Sequence, residues 1–405
     1  MTKLDISPLL TPIKIARMTM PNRFVMAPMG RASSKDGVLS DDYAPYYRRR
    51  VEGGVGLIIG EATAVPHPTS QQLPSGSQLH GAGIAAWKRV ADEVHAAGGL
   101  FMPQLWHAGL MRAPGPYDTP LLTPPNADQK SMGPSGLFVP AHIDPKDGVP
   151  APVSAEQPMT PEEIDACIAA YAEAAHTAFE IGCDGIELHG AHGYLIDQFL
   201  WPNLNRRTDA FGGDIAGRVR FAVGVVRACR AATAPDFPIF FRMSQWKQQD
   251  YSAKLAYQPG DLEAIVAALV DAGVDAFDCS ARRFWEPEFE GSHLNFAGWV
   301  RKLSGKPTMM VGSLSIPREV SKKEAWEALK AHAQGITTVV ATEVERSIGP
   351  PHKLDDALER FARGEFDMLG LGRILISNPS WVHLVERGDH AAIEPYSTRH
   401  LLTLQ

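Results

Sequence analysis

Within six residues, Gly185-Ile186-Glu187-Leu188-His189-Gly190-Ala191-His192-Gly193-Tyr194-Leu195 presents two imidazoles and a phenol, His189, His192 and Tyr194. Imidazole and phenol donate hydrogen bonds to an oxygen gaining negative charge, or protonate a carbon. Gly190 and Gly193 predict a tight bend that turns the three side chains toward one small volume. Two other readings stand beside this one: a pair of histidines on a wet loop, and a pair ligating zinc at a strand end.

The elements that must position the trio alternate along the chain. Short apolar runs are expected as strands at 23–27, 55–59, 100–105, 185–189, 238–243, 275–280, 308–313 and 366–373. Amphipathic stretches lie between most of them, for instance 83–97, with Ile84, Trp87, Val90, Ala91 and Val94 on one face. Thr160-Pro161-Glu162-Glu163 reads as a capped helix start. Eight strand–helix units predict an α/β fold, a single (β/α)8 barrel occupying residues 1–405 as one domain. Two segments exceed the minimum. One is a long excursion after strand 3 (106–160), rich in Pro, Gly, Ser and Asp. The other is an insertion at 318–349, between strands 7 and 8. Its β-branched run Ile336-Thr337-Thr338-Val339-Val340 is the rival eighth strand; the insertion reading is preferred because Leu371-Gly372-Arg373 opens a helix as a phosphate site needs.

Chemistry in such a barrel sits at the C-terminal strand ends. Those ends carry Pro28-Met29-Gly30, Gly60 and Ala62, Gln104 and His107, the trio, Arg242, Gly312-Ser313, and Gly370-Leu371-Gly372-Arg373. Glycine N–H groups with an arginine at the last two ends make a phosphate cradle, and small residues with an amide and a fixed cation suit a flat heterocycle. FMN answers that description: Arg242 would stabilise negative charge on the reduced ring, and Gln104 would bond its pyrimidine edge.

Other function classes are disfavoured. The 405 residues are 44% hydrophobic and 21% charged with a net charge of −7, which argues against a nucleic-acid or anionic-membrane binder. No apolar run is long enough to span a bilayer. The four cysteines form no CxxC pair, and the start lacks a secretory pattern, so a cytoplasmic protein with reduced thiols is expected.

Across nearly the whole chain these motifs resemble the Old Yellow Enzyme family of FMN-dependent ene-reductases. The resemblance rests on Ala27-Pro28-Met29, Gln104-Leu105-Trp106-His107-Ala108-Gly109, the stretch from Glu187 to Leu195, Asn205-Arg206-Arg207-Thr208-Asp209, Gly312-Ser313 and Gly372-Arg373. It implies that Pro28, Met29, Gly30, Ala62, Gln104 and Arg242 meet the isoalloxazine, and that Gly312, Ser313, Gly372 and Arg373 hold the phosphate. His189 and His192 would bind a carbonyl or nitro oxygen, Tyr194 would donate the proton, and the metal reading recedes. Gly30 stands where the family usually has Thr or Cys, and Leu110 where it commonly has Arg.

The expected activity is NAD(P)H-dependent reduction of activated C=C bonds in small unsaturated carbonyl or nitro compounds. Trp106 and Trp285 are expected to line the pocket mouth, and a homodimer is the candidate assembly. The alternatives are a related flavoprotein redirected to nitroester reduction or oxidative demethylation, and a flavin-binding protein with little turnover.

Overall fold

A computed structural model describes residues 5–112, 123–140, 151–316 and 351–405. Eight parallel strands close on themselves: β1 (Phe24–Met26), β2 (Leu57–Ala64), β3 (Leu100–Trp106), β4 (Ile186–His189), β5 (Ile239–Ser244), β6 (Ala276–Ser280), β7 (Thr308–Val311) and β8 (Met368–Leu371). β8 pairs with β1, and β1 with β2, which completes the ring. These are the eight expected strands. The helical and β-branched runs expected at 321–332 and 336–340 lie outside the described residues, as do 113–122 and 141–150 of the excursion. Within the excursion, Leu137–Phe138 and Val153–Ser154 pair as a short antiparallel ladder.

The strands are buried on both faces and read as continuous apolar runs, as barrel strands must. Alternation sorts their side chains. Val25, Leu57, Ile59, Met102, Phe240, Ala276, Met309 and Met368 pack together in the lumen with Ile15, Met18 and Met20. Those last three come from the hairpin Ile13–Ile15 and Met18–Met20, which stops the lower end of the barrel. Their neighbours in sequence, such as Ile58, Phe101, Phe241 and Phe277, face outward into the helix layer. Each such side chain contributes about 1.5–3 kcal/mol on leaving water.

One step up each strand, the same alternation places Gln104, Glu187, His189, Arg242 and Asp278 on the lumen side. The lumen is therefore apolar below and polar above. Pro103 sits where the sequence predicts irregular pairing: β2 and β3 slip between Ile59 and Ala62, with Ile59 opposite Met102 and Ala62 opposite Gln104. The slip turns Ala62, rather than Glu61, toward the lumen. Glu61 instead accepts the Arg31 backbone N–H and the Tyr43 hydroxyl, both at 2.8 Å, outside the ring.

Around the barrel run α1 (Tyr43–Glu52), α2 (Gly83–Ala96), α3 (Pro161–Glu180), α4 (Leu195–Leu200), α5 (Arg220–Ala231), α6 (Pro259–Ala272), α7 (Phe296–Ser304) and α8 (Leu354–Ala362). α3 starts at the predicted capping box: Thr160 accepts from Glu163 N–H, and the Glu163 carboxylate accepts from Thr160 N–H. The two ends of the 317–350 segment are tied together, since Ser315 N–H donates to the His352 carbonyl at 3.0 Å. Among the described residues no helix is long and apolar enough to cross a membrane.

Candidate active site

The trio His189, His192 and Tyr194 is set by the bend after β4. Gly190 provides room: a Cβ there would overlap the Phe241 ring and meet the Arg242 carbonyl oxygen at 3.0 Å. Of the two glycines the spacing singles out, Gly193 (φ 86°) takes the left-handed conformation, and His192 (φ 65°) shares it in place of Gly190. A non-glycine residue in that region costs of order 1 kcal/mol or more and needs support. Support is present. His192 N–H donates to Ser244 Oγ at 3.1 Å, Gly193 N–H to Asp197 Oδ2 at 2.7 Å, and the Gln198 amide to the Gly193 carbonyl at 2.8 Å.

The bend brings the trio together. The His189 and Tyr194 rings are 4.9 Å apart and the His189 and His192 rings 5.1 Å, both contacts edge-on. His189 is buried, and its Nδ1 has no hydrogen-bond partner. His192 is engaged through Nε2, 2.8 Å from Ser280 Oγ, and its ring lies against Trp246. The half-buried Tyr194 accepts from the Gln248 amide at 2.9 Å, so its own proton is free to go elsewhere. Trp106 stands edge-on to Tyr194 at 5.2 Å. Trp285 stands on the β6–α7 connection; its ring contacts among the described residues are Phe284, His352 and Lys353.

Electrostatics fix the protonation states. Burial, then the Arg242 charge, holds both His189 and His192 well below the ordinary imidazole pKa, so both are neutral donors. Burial raises the Tyr194 phenol above its usual value, partly opposed by the Gln248 hydrogen bond and by Arg242. Below them, Gln104 donates to Glu187 Oε1 at 2.7 Å, and Arg242 Nε lies 3.1 Å from Asp278 Oδ2. That last pair lacks hydrogen-bond geometry at Arg242 Nε, and the Asp278 carboxylate also meets the Glu187 carboxyl group. Burial and the neighbouring Asp278 carboxylate push Glu187 well above the carboxylate range, and burial raises Asp278 as well, opposed by the Arg242 charge. Glu187, Asp278, Ser280 and Gln248 escape sequence reasoning because each acquires its role from a neighbouring strand or loop. Glu187 alone leaves a trace, as a lone carboxylate two residues before His189 in an apolar strand.

The expected cofactor residues lie at or just after the C-terminal ends of the barrel strands. Pro28 is buried, Met29 half-buried and Gly30 exposed, with nothing within 4 Å of a Cβ placed on Gly30. Ala62 lies beside Gln104 across the strand pair. At the far side Ser313 adopts φ 56°, and its hydroxyl is 3.5 Å from Arg373 Nη2. A Cβ on Gly372 would meet Met29 Sδ at 3.2 Å, which joins the last strand end to the first. An open floor, a buried guanidinium with an orphaned N–H, and an arginine beside a hydroxyl at the last two strand ends fit a flat ring with a phosphate tail.

One metal-type cluster exists among the described residues, and it does not include the trio. Ligand atoms of His67, His107 and Cys167 lie within 4.8 Å of one another. Gly109 N–H donates to His107 Nδ1, so the ring proton sits on Nε2 and points to His67 Nδ1 at 3.0 Å. The two rings are a hydrogen-bonded pair.

Comparison with known proteins agrees with this geometry. The family model described as NADH:flavin oxidoreductase / NADH oxidase matches residues 8–326. The chain is 37% identical over 226 residues to putative 12-oxophytodienoate reductase 11 of Oryza sativa subsp. japonica; the match spans 55% of this chain and 58% of that one. It is 30% identical to the flavin oxidoreductase hxnT of Emericella nidulans, across 95% of this chain and 91% of that one. Morphinone reductase, solved in complex with tetrahydroNAD, superposes with a TM-score of 0.72 at 25% identity, covering 96% of this chain and 92% of its own.

Proposed function

The chain belongs to the NADH:flavin oxidoreductase / NADH oxidase family, the Old Yellow Enzyme family its motifs resemble, and on that premise we propose that it reduces activated C=C bonds of α,β-unsaturated carbonyl or nitro compounds at the expense of NAD(P)H. The observation that carries the proposal is the neutral trio: His189, His192 and Tyr194 share one pocket above a buried arginine.

FMN, when bound, supplies the hydride chemistry. Arg242, Gln104, Ala62, Pro28, Met29 and Gly30 would hold its ring, and Gly312, Ser313, Gly372 and Arg373 its phosphate. The chain's own work is positioning and charge. His189, and His192 once it exchanges Ser280 for substrate, donate to the carbonyl or nitro oxygen as negative charge grows there. Such a donor is worth about 3 kcal/mol in the transition state because burial removes competing water. Tyr194 then delivers its proton to the α-carbon, and Gln248 supports the oxygen left behind. Trp106 bounds the pocket beside Tyr194 and excludes water from that transfer. Trp285 is assigned to the outer rim, where it would act on substrate range. The same reading carries a homodimer and a cytoplasmic setting.

Two measurements test the proposal. The purified protein should be yellow and release FMN, not FAD, on denaturation. Its NAD(P)H consumption should rise when a cyclic enone is added. A protein that takes up no FMN, or whose turnover ignores enones and nitroalkenes alike, would overturn it.

A further inference from the structure

Lys247 follows β5 and is wholly buried. Its ammonium donates to Asp197 Oδ1 at 2.6 Å and to the Ser244 carbonyl at 3.3 Å. Asp197 is equally buried, and its second oxygen is the acceptor for Gly193 N–H. The Lys247 backbone pairs with His192 in an isolated parallel bridge. The flanking residues act on the same bend: Trp246 lies 4.4 Å from the His192 ring, and Gln248 donates its N–H to the His192 carbonyl and its amide to the Tyr194 hydroxyl. Three consecutive residues of one loop thus grip the turn that carries His192 and Tyr194.

Building on the functional reading above, we infer that Lys247 is a positioning residue for proton delivery: through Asp197 it holds the left-handed His192–Gly193 turn that presents His192 and Tyr194 to the substrate. Stability alone is a poor account of the pair. Burial opposes the charge on both partners, lowering the Lys247 pKa and raising that of Asp197, and an apolar pair of equal volume is often as stable or more so. What an apolar pair cannot supply is an acceptor for Gly193 N–H. Without that acceptor, the strained φ of His192 loses the bond next to it.

Three FMN-loaded variants test this: Lys247→Met, the neutral pair Asp197→Asn/Lys247→Met, and the apolar pair Asp197→Leu/Lys247→Met. Reoxidation by an enone and reduction by NAD(P)H are followed separately, and the His192 imidazole nitrogens are followed by NMR. Lys247→Met should slow enone reduction about 10–100-fold, the scale of a small misplacement of reacting groups, and much more than it slows flavin reduction. The His192 signal should move as its Ser280 bond loosens. The neutral pair should recover most of the rate and the parental signal, because asparagine still accepts from Gly193 N–H, whereas the apolar pair should not. Should Lys247→Met fail to fold, the two double variants still decide. Equal slowing of both half-reactions, or equal behaviour of the two double variants, overturns the inference. A parent that binds FMN but ignores enones would sink the functional reading instead; the NMR comparison then judges the turn alone.

Discussion

Tyr194→Phe separates chemistry from structure cleanly. The ring's neighbours are Trp106 at 5.2 Å and His189 at 4.9 Å, and phenylalanine keeps both edge contacts. The substitution removes the hydroxyl that accepts from Gln248 at 2.9 Å. Gln248 is only half-buried, so water can replace the lost acceptor, and the net cost in stability is about 1 kcal/mol. For a domain of this size that lowers Tm by roughly 2–4 °C or less. Loss of a general acid costs about 10²–10⁴ in rate, or roughly 2.7–5.4 kcal/mol of barrier. Stopped-flow should find flavin reduction by NAD(P)H nearly unchanged and reoxidation by an enone slowed at least 100-fold, in a protein that melts almost normally. Because the phenol's pKa is raised, the parent should show no loss of the proton step up to about pH 10, the ordinary tyrosine value. Equal slowing of both half-reactions, or a rate loss that tracks a large fall in Tm, refutes the assignment.

His189→Ala should weaken enone capture and slow hydride arrival by about 100-fold or more, the value of one lost donor to a developing oxyanion, read as kcat/KM with an enone. Gly190→Ala should destabilise by about 1–3 kcal/mol, since its methyl meets the Phe241 ring, whereas Gly30→Ala should be near neutral in the same urea titration because nothing stands within 4 Å. His107, His189 and His192 are neutral in the fold with depressed pKa values. The unfolded chain binds those protons first, so their contribution is present above about pH 6.5 and is lost as pH falls below it; urea midpoints at pH 5 and pH 7.5 measure the loss.

Much of this was readable in the chain because the signals were local. Capping at Thr160-Pro161-Glu163 and the apolar strand runs each depend on neighbours within a few residues, and both stand in the structure. The glycine spacing after β4 pointed to a bend at Gly190 and Gly193: Gly193 is left-handed, but the second left-handed residue is His192, and Gly190 serves instead for room beside Phe241. Nothing in the sequence near His192 names Ser244, Ser280 or Trp246, which arrive from β5, β6 and the loop after β5. Trp285 was assigned to the mouth by residue type, and only packing shows it leaning on Phe284 and His352.

The hydrogen bond between Ser315 and His352 has a bearing on how such a chain can change over generations. It holds together the two residues that flank the connection between β7 and α8. Doubling a loop on a fixed stem costs only about 0.6 kcal/mol in closure entropy. Material can be gained, lost or exchanged there while the register of β7 against β8 stays as it is. The clamp lies two residues from Ser313, so a graft at this stem would start beside the end of β7, away from the bend after β4 that carries the trio. It marks a natural port for refitting the barrel.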